Sequence, residues 1–219
     1  MTGPPGERAR IPASRAVLIT STRDIPEPAL LERIRRARDL PPAAAARLAV
    51  QLRDPELPAR DLYHLGLRLR RATLDAGVRL LVNDRLDLAR LLEADGVHLG
   101  RRSVSIADAR VFLGSSTFIS VACHSIPEVV LAARGGADAA LLSPIFASPG
   151  KGPPIGLEAI REAREALAQA GLILPLIALG GVDEATAPAC FEAGAHGVAA
   201  IRGDLFASAV STLATDLAT

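Results

Sequence analysis

The chain has 219 residues, 49% of them apolar, yet aromatics make up only 3% and tryptophan is absent. One large domain fits that length, with an interior of Ala, Leu, Val and Ile that suits helices packed on a buried parallel sheet. A net charge of +1 gives no ground for a nucleic-acid or membrane partner.

No apolar run approaches about 18 residues, the N-terminus lacks a signal-peptide core, and Cys123 and Cys190 make no disulfide framework. A cytoplasmic protein is expected. Residues 1–14, rich in Pro, Gly and charge, read as a flexible lead-in, and 15–219 as the folded domain. Strand-length apolar runs follow at 16–20, 48–53, 79–83, 96–99, 117–123, 139–146, 174–179 and 198–201. Segments with helical periodicity lie between them at 28–38, 57–76, 87–93, 106–112, 127–134, 157–170 and 183–193, and 204–217 closes the series. Eight strands alternating with eight helices imply parallel pairing and right-handed crossovers. A single (β/α)8 TIM barrel is expected, with a doubly wound open sheet as the fallback. A weak repeat at 75–78, 94–97, 136–139 and 194–197, each with a glycine, joins helix ends to strand starts.

In such a barrel the reacting groups belong at the C-terminal ends of the strands. Gln51 and Arg53 alternate onto one side of the second strand; Arg53 suits a phosphate by its planar fork or solvent. Asn83 and Asp84 end the third strand, where both could bind Mg²⁺ or a substrate and Asp84 could equally cap the next helix. His98 points either into the barrel or toward the helices. Arg68, Arg70 and Arg71, like Arg101 and Arg102, read as solvated surface. Ser125 and Glu128 form a capping box that leaves His124 on the rim, as a general acid/base or as a helper of the turn. Cys123 reads as a small buried hydrophobe. The 147–155 loop carries Ser148 and Lys151 and reads as a lid or anion clamp. Gly180-Gly181 and Arg202-Gly203 end the last two strands, where glycine turns and helix N-termini can cradle a phosphate.

Several segments, in order, resemble the thiamine phosphate synthase/TenI family: VQLR (50–53), VNDRLDLA (82–89), ADGVHLG (94–100), His124-Ser125 with Glu128, SPIF (143–146), GLEAI (156–160) and IALGGVDEATAPACFEAGAHGVAAIRG (177–203). The resemblance implies a phosphate-binding barrel, a homo-oligomer, acting on a thiazole phosphate in vitamin B1 synthesis. It implies Mg²⁺ for the synthase, a transferase that joins a pyrimidine diphosphate to the thiazole phosphate with loss of pyrophosphate. Asp84 matches one metal carboxylate, but the second falls at Ser103. Arg101, Pro55 and Ala122 replace the expected Gln, Lys and Ser. The TenI-type tautomerase, an isomerase, aromatises the thiazole by moving a proton and needs no metal; its histidine corresponds to His124. The favoured expectation is therefore a thiazole phosphate tautomerase without cofactor. His124 would be catalytic, Gly180, Gly181, Arg202 and Gly203 would hold the phosphate, and Gln51, Arg53, Asn83, Ser148 and Lys151 would contact the substrate. The alternatives are the synthase and a catalytically silent barrel that binds a phosphorylated ligand.

Overall fold

The apolar runs become parallel strands because neither of their faces meets water. The structure, a computed structural model, describes residues 13–206. Its strands are β1 (Ala16–Ile19), β2 (Leu48–Leu52), β3 (Arg79–Asn83), β4 (Gly96–Leu99), β5 (Phe118–Cys123), β6 (Ala139–Leu142), β7 (Leu176–Leu179) and β8 (Gly197–Ala200). They pair in sequence order, and β8 pairs back onto β1, so the sheet is a closed eight-stranded barrel and the open-sheet fallback is excluded.

The helices are α1 (Glu27–Arg36), α2 (Pro42–Ala45), α3 (Ala59–Ala76), α4 (Leu86–Leu91), α5 (Ile106–Leu113), α6 (Ile126–Arg134), α7 (Glu158–Gln169) and α8 (Ala187–Glu192). Their apolar stripes face the sheet: α3 buries Leu62, Leu65, Leu69 and Ala76 at helical spacing and stops at Gly77, whose φ of +67° suits a left-handed cap. Alternate strand residues divide between two cores. Leu18, Val50 and Leu80 face the helices, while Val17, Ile19, Ala49, Leu81 and Ile177 fill the barrel.

The segment read as one strand over 139–146 stops at Leu142, because Pro144 has no N–H for the ladder. The helix expected from 183 begins at Ala187, since the Asp183 carboxylate takes the N–H groups of Ala185 and Thr186 in a local turn. The short helix α2 was not anticipated. Of the lead-in, only Ala13 and Ser14 lie within the described residues, and both are buried; most of the expected closing helix lies outside them. No described helix is long and apolar enough to cross a membrane.

The weak repeat has a physical basis. Asp95 accepts the Leu80 N–H (2.8 Å) and pairs with Arg70 on α3 (2.8 Å). Asp138, at the matching place, accepts the Ile119 N–H (2.8 Å) and pairs with Arg110 on α5. Each carboxylate ties a strand start to the preceding strand and to a helix.

Candidate functional site

Inward-facing positions at the C-terminal ends of the strands enclose a cavity of about 310 Å³. Gln51, Asn83, His98, Ala122, Leu179 and Ile201 share the inward parity and line it. Arg53, Asp84, Arg101, Arg102, His124, Ser148 and Lys151 add to its wall from the loops. Every substrate-contact residue expected from the sequence is thus brought to one place. Arg101 and Arg102, read as solvated surface, line the same cavity.

A polar chain runs along one wall. Gln51 Nε2 donates to Asn83 Oδ1 (3.1 Å), and Asn83 Nδ2 donates to Asp84 Oδ2 (3.1 Å). Asp84 Oδ1 accepts from the Ser103 hydroxyl and from the Gly100 N–H (3.4 Å). Asp84 does not cap α4: the cap position is Arg85, and Asp84 itself takes a φ of +59°. Gln51 is buried, and its Oε1 has no partner among the described residues. Buried acceptors are rarely left bare, and Gln51 is a residue of the cavity wall.

These residues do not fit a Mg²⁺ held by the protein. The described residues contain no group of three acidic, His or Cys side chains placed to hold a metal. Both oxygens of Asp84 are already engaged, and the second position of the pair is the Ser103 hydroxyl. By contrast Arg53, Arg101, Arg102 and Lys151 face one carboxylate across the cavity, and among the described residues none of the four has an ion-pair partner. The surplus positive charge suits an anionic ligand. Arg53 is placed by Thr20, whose hydroxyl accepts its N–H (2.9 Å) and donates to its carbonyl (3.1 Å).

Two histidines face this space. His124 follows β5, and its Nδ1 lies 2.8 Å from the Ser143 carbonyl oxygen. A carbonyl only accepts, so in the neutral ring Nδ1 carries the hydrogen and Nε2 is the free acceptor. The capping box is displaced by one residue on one side: Ser125 Oγ accepts the Glu128 N–H (3.4 Å), while Glu128 Oε2 takes the His124 N–H (2.6 Å). His98, whose direction the sequence left open, points into the barrel. Its Nδ1 is 3.0 Å from Ser120 Oγ, and burial pushes its pKa down to about 4. It is a neutral ring near neutral pH. Cys123 is buried and its thiol is pushed up to about 12 by burial, which leaves it inert as a nucleophile.

A second cavity of about 340 Å³ opens between the ends of β7 and β8, lined by Gly180, Gly181, Arg202 and Gly203. Ser148, Leu179, Gly180 and Ile201 line both spaces, which therefore adjoin. Gly181 has a φ of +64°, and a Cβ there would lie 2.5 Å from the Ala147 carbonyl oxygen. Glycine is required on both counts. Arg202 departs from expectation: its guanidinium turns to Asp24 (2.9 Å), whose carboxyl is held below its usual range by the Ser21 hydrogen bond first and by Arg202 second. Arg202 still lines the second cavity. The Ser143 carbonyl and the Ser120 hydroxyl were not foreseen; a backbone carbonyl leaves no signal in residue type.

A family model described as thiamine monophosphate synthase matches residues 16–203. A thiamine-phosphate synthase of Gloeobacter violaceus is 38% identical over 197 residues, covering 89% of this chain but 54% of its own length. This chain thus spans about half of that relative. A thiamine-phosphate synthase of Methanoculleus marisnigri is 42% identical over 177 residues, covering 77% of this chain and 82% of its own. Among solved structures, a thiamine phosphate pyrophosphorylase from Pyrococcus furiosus superposes with a TM-score of 0.75 at 25% identity, over 94% of this chain and 97% of its own.

Proposed function

The chain belongs to the thiamine phosphate synthase/TenI family, and we propose that it is a thiazole phosphate tautomerase of thiamin biosynthesis. The observation that carries this reading is the His124 imidazole, fixed by the Ser143 carbonyl with Nε2 as the acceptor at the cavity wall. In the reaction, Nε2 takes a proton from a ring carbon of the dihydrothiazole. The electron pair moves through the conjugated system, and the imidazolium returns the proton at its far carbon, leaving an aromatic ring. No bond to an outside atom is made or lost. Such general acid–base catalysis contributes about 10²–10⁴-fold.

Backbone N–H groups of the Gly180-Gly181 and Arg202-Gly203 turns would hold the phosphate. Lys151 or Arg53 would neutralise a carboxylate or the phosphate at the other end. Turnover of the tautomer by the native protein and by His124→Ala tests the assignment. A loss of about 100-fold or more is expected, and equal rates would remove His124 from the chemistry.

A second reading is favoured by the names of the relatives. Proteins 36–42% identical to this chain are called thiamine-phosphate synthases, and the synthase would couple a pyrimidine diphosphate to the thiazole phosphate in this same cavity. Arg53, Arg101, Arg102 and Lys151 supply charge for a diphosphate. The lone, fully engaged Asp84 weighs against it, because that chemistry calls for a metal held by carboxylates.

A further inference from the structure

Helix α1 reaches the loop after β8 through Arg33. Arg33 is on the inner side of that helix with its side chain 20% exposed. One of its terminal nitrogens donates to two consecutive backbone carbonyls of the loop after β8, Arg202 O (3.3 Å) and Gly203 O (3.2 Å). Its Nε lies 3.8 Å from the Asp204 carboxylate.

In a trans peptide the C=O and N–H of one unit point in opposite directions. The Arg202 carbonyl shares its unit with the Gly203 N–H, and the Gly203 carbonyl with the Asp204 N–H. Drawing both carbonyls toward α1 therefore turns both N–H groups away from it. The Asp204 N–H is already taken by the Glu184 carboxylate. The Gly203 N–H has no partner among the described residues, and Gly203 lines the second cavity. A guanidinium on the carbonyl side also polarises the peptide and strengthens the donor at its other end.

We infer that Arg33 is the positioning residue of the phosphate site: it holds the Arg202 and Gly203 carbonyls and so presents the Gly203 N–H to the phosphate. The inference rests on the reading that these two glycine turns bind a phosphate. It makes α1, remote from the reacting ring, part of substrate recognition.

Calorimetric titration with thiazole phosphate tests it on the full chain. Arg33→Met is expected to bind about tenfold more weakly, the size of one or two lost hydrogen bonds, at unchanged stoichiometry. Arg33→Lys should fall between, about threefold weaker, because an ammonium can hold a carbonyl without the planar fork. Arg68→Met breaks the ion pair between α3 and Glu27 of α1 (2.8 Å on its second nitrogen) without touching the loop, and should bind as the native protein does. Native affinity in Arg33→Met, or an equal loss in Arg33→Met and Arg68→Met, would overturn the inference. If Arg33→Met fails to fold, native affinity in Arg33→Lys would do so. Absence of binding by the native protein would instead remove the phosphate reading, and this inference with it.

Discussion

His124 and Ser143 face each other across the ends of β5 and β6, with Nδ1 of the one 2.8 Å from the carbonyl oxygen of the other. This contact fixes the tautomer of the ring without using a carboxylate. The backbone of His124 is fixed in turn by Glu128, whose Oε2 accepts its N–H at 2.6 Å. Glu128→Ala should therefore lower kcat for the tautomer by about tenfold and leave KM nearly unchanged. Steady-state kinetics reads the split; a change in KM alone would detach Glu128 from the ring's orientation.

Gly181→Ala should be costly twice over. A left-handed residue with a Cβ costs about 1–2 kcal/mol, and that Cβ would lie 2.5 Å from the Ala147 carbonyl oxygen and 2.8 Å from Phe146 Cβ. Urea unfolding should show a loss of roughly 2 kcal/mol or more, together with weaker thiazole phosphate binding.

Asp138→Ala should destabilise without touching chemistry. It strands the Ile119 N–H and removes the carboxylate from the Arg110 guanidinium, whose side chain is 12% exposed and keeps only backbone carbonyls as partners. A loss of about 2–3 kcal/mol is expected in urea, with kcat and KM of the folded fraction unchanged.

His98 gives the fold a pH dependence. Its pKa falls from 6.5 to about 4 through burial, so below 6.5 the unfolded chain takes up a proton that the native ring refuses. Stability is complete above the unfolded value and falls as the pH drops from 6.5 toward 4, by up to about 3 kcal/mol. His196, also lowered mainly by burial, acts in the same direction. Urea midpoints at pH 7 and pH 5 should differ less in His98→Gln than in the native protein.

Ser103→Asp would set a second carboxylate against Asp84, which the Ser103 hydroxyl now satisfies. Without metal the like charges should lower Tm, and Mg²⁺ should raise it again, while the native Tm stays insensitive to Mg²⁺. Thermal shift with and without Mg²⁺ reads both.

The barrel and its polar rim were legible because period-2 alternation and glycine-ended runs are written in residue type. Gln51, Asn83 and His124 could be placed at strand ends on that basis. The direction of His98 could not, since parity becomes inward or outward only once Asn83 and His98 are paired in register. Nor could the turn of Arg202 toward Asp24, which joins residues far apart in the chain. Arg101 and Arg102 look like surface charge by composition, and only the closing of the barrel brings them over the cavity.

A cavity that moves a proton on a thiazole phosphate by His124 alone should work without a metal. The most direct measurement gives the native protein the dihydrothiazole phosphate tautomer in EDTA, and separately the pyrimidine diphosphate with thiazole phosphate in Mg²⁺. The aromatic thiazole should form in EDTA, and no appreciable thiamine phosphate should form in the second reaction. Steady Mg²⁺-dependent synthesis of thiamine phosphate, with the tautomer left unchanged, would contradict both expectations.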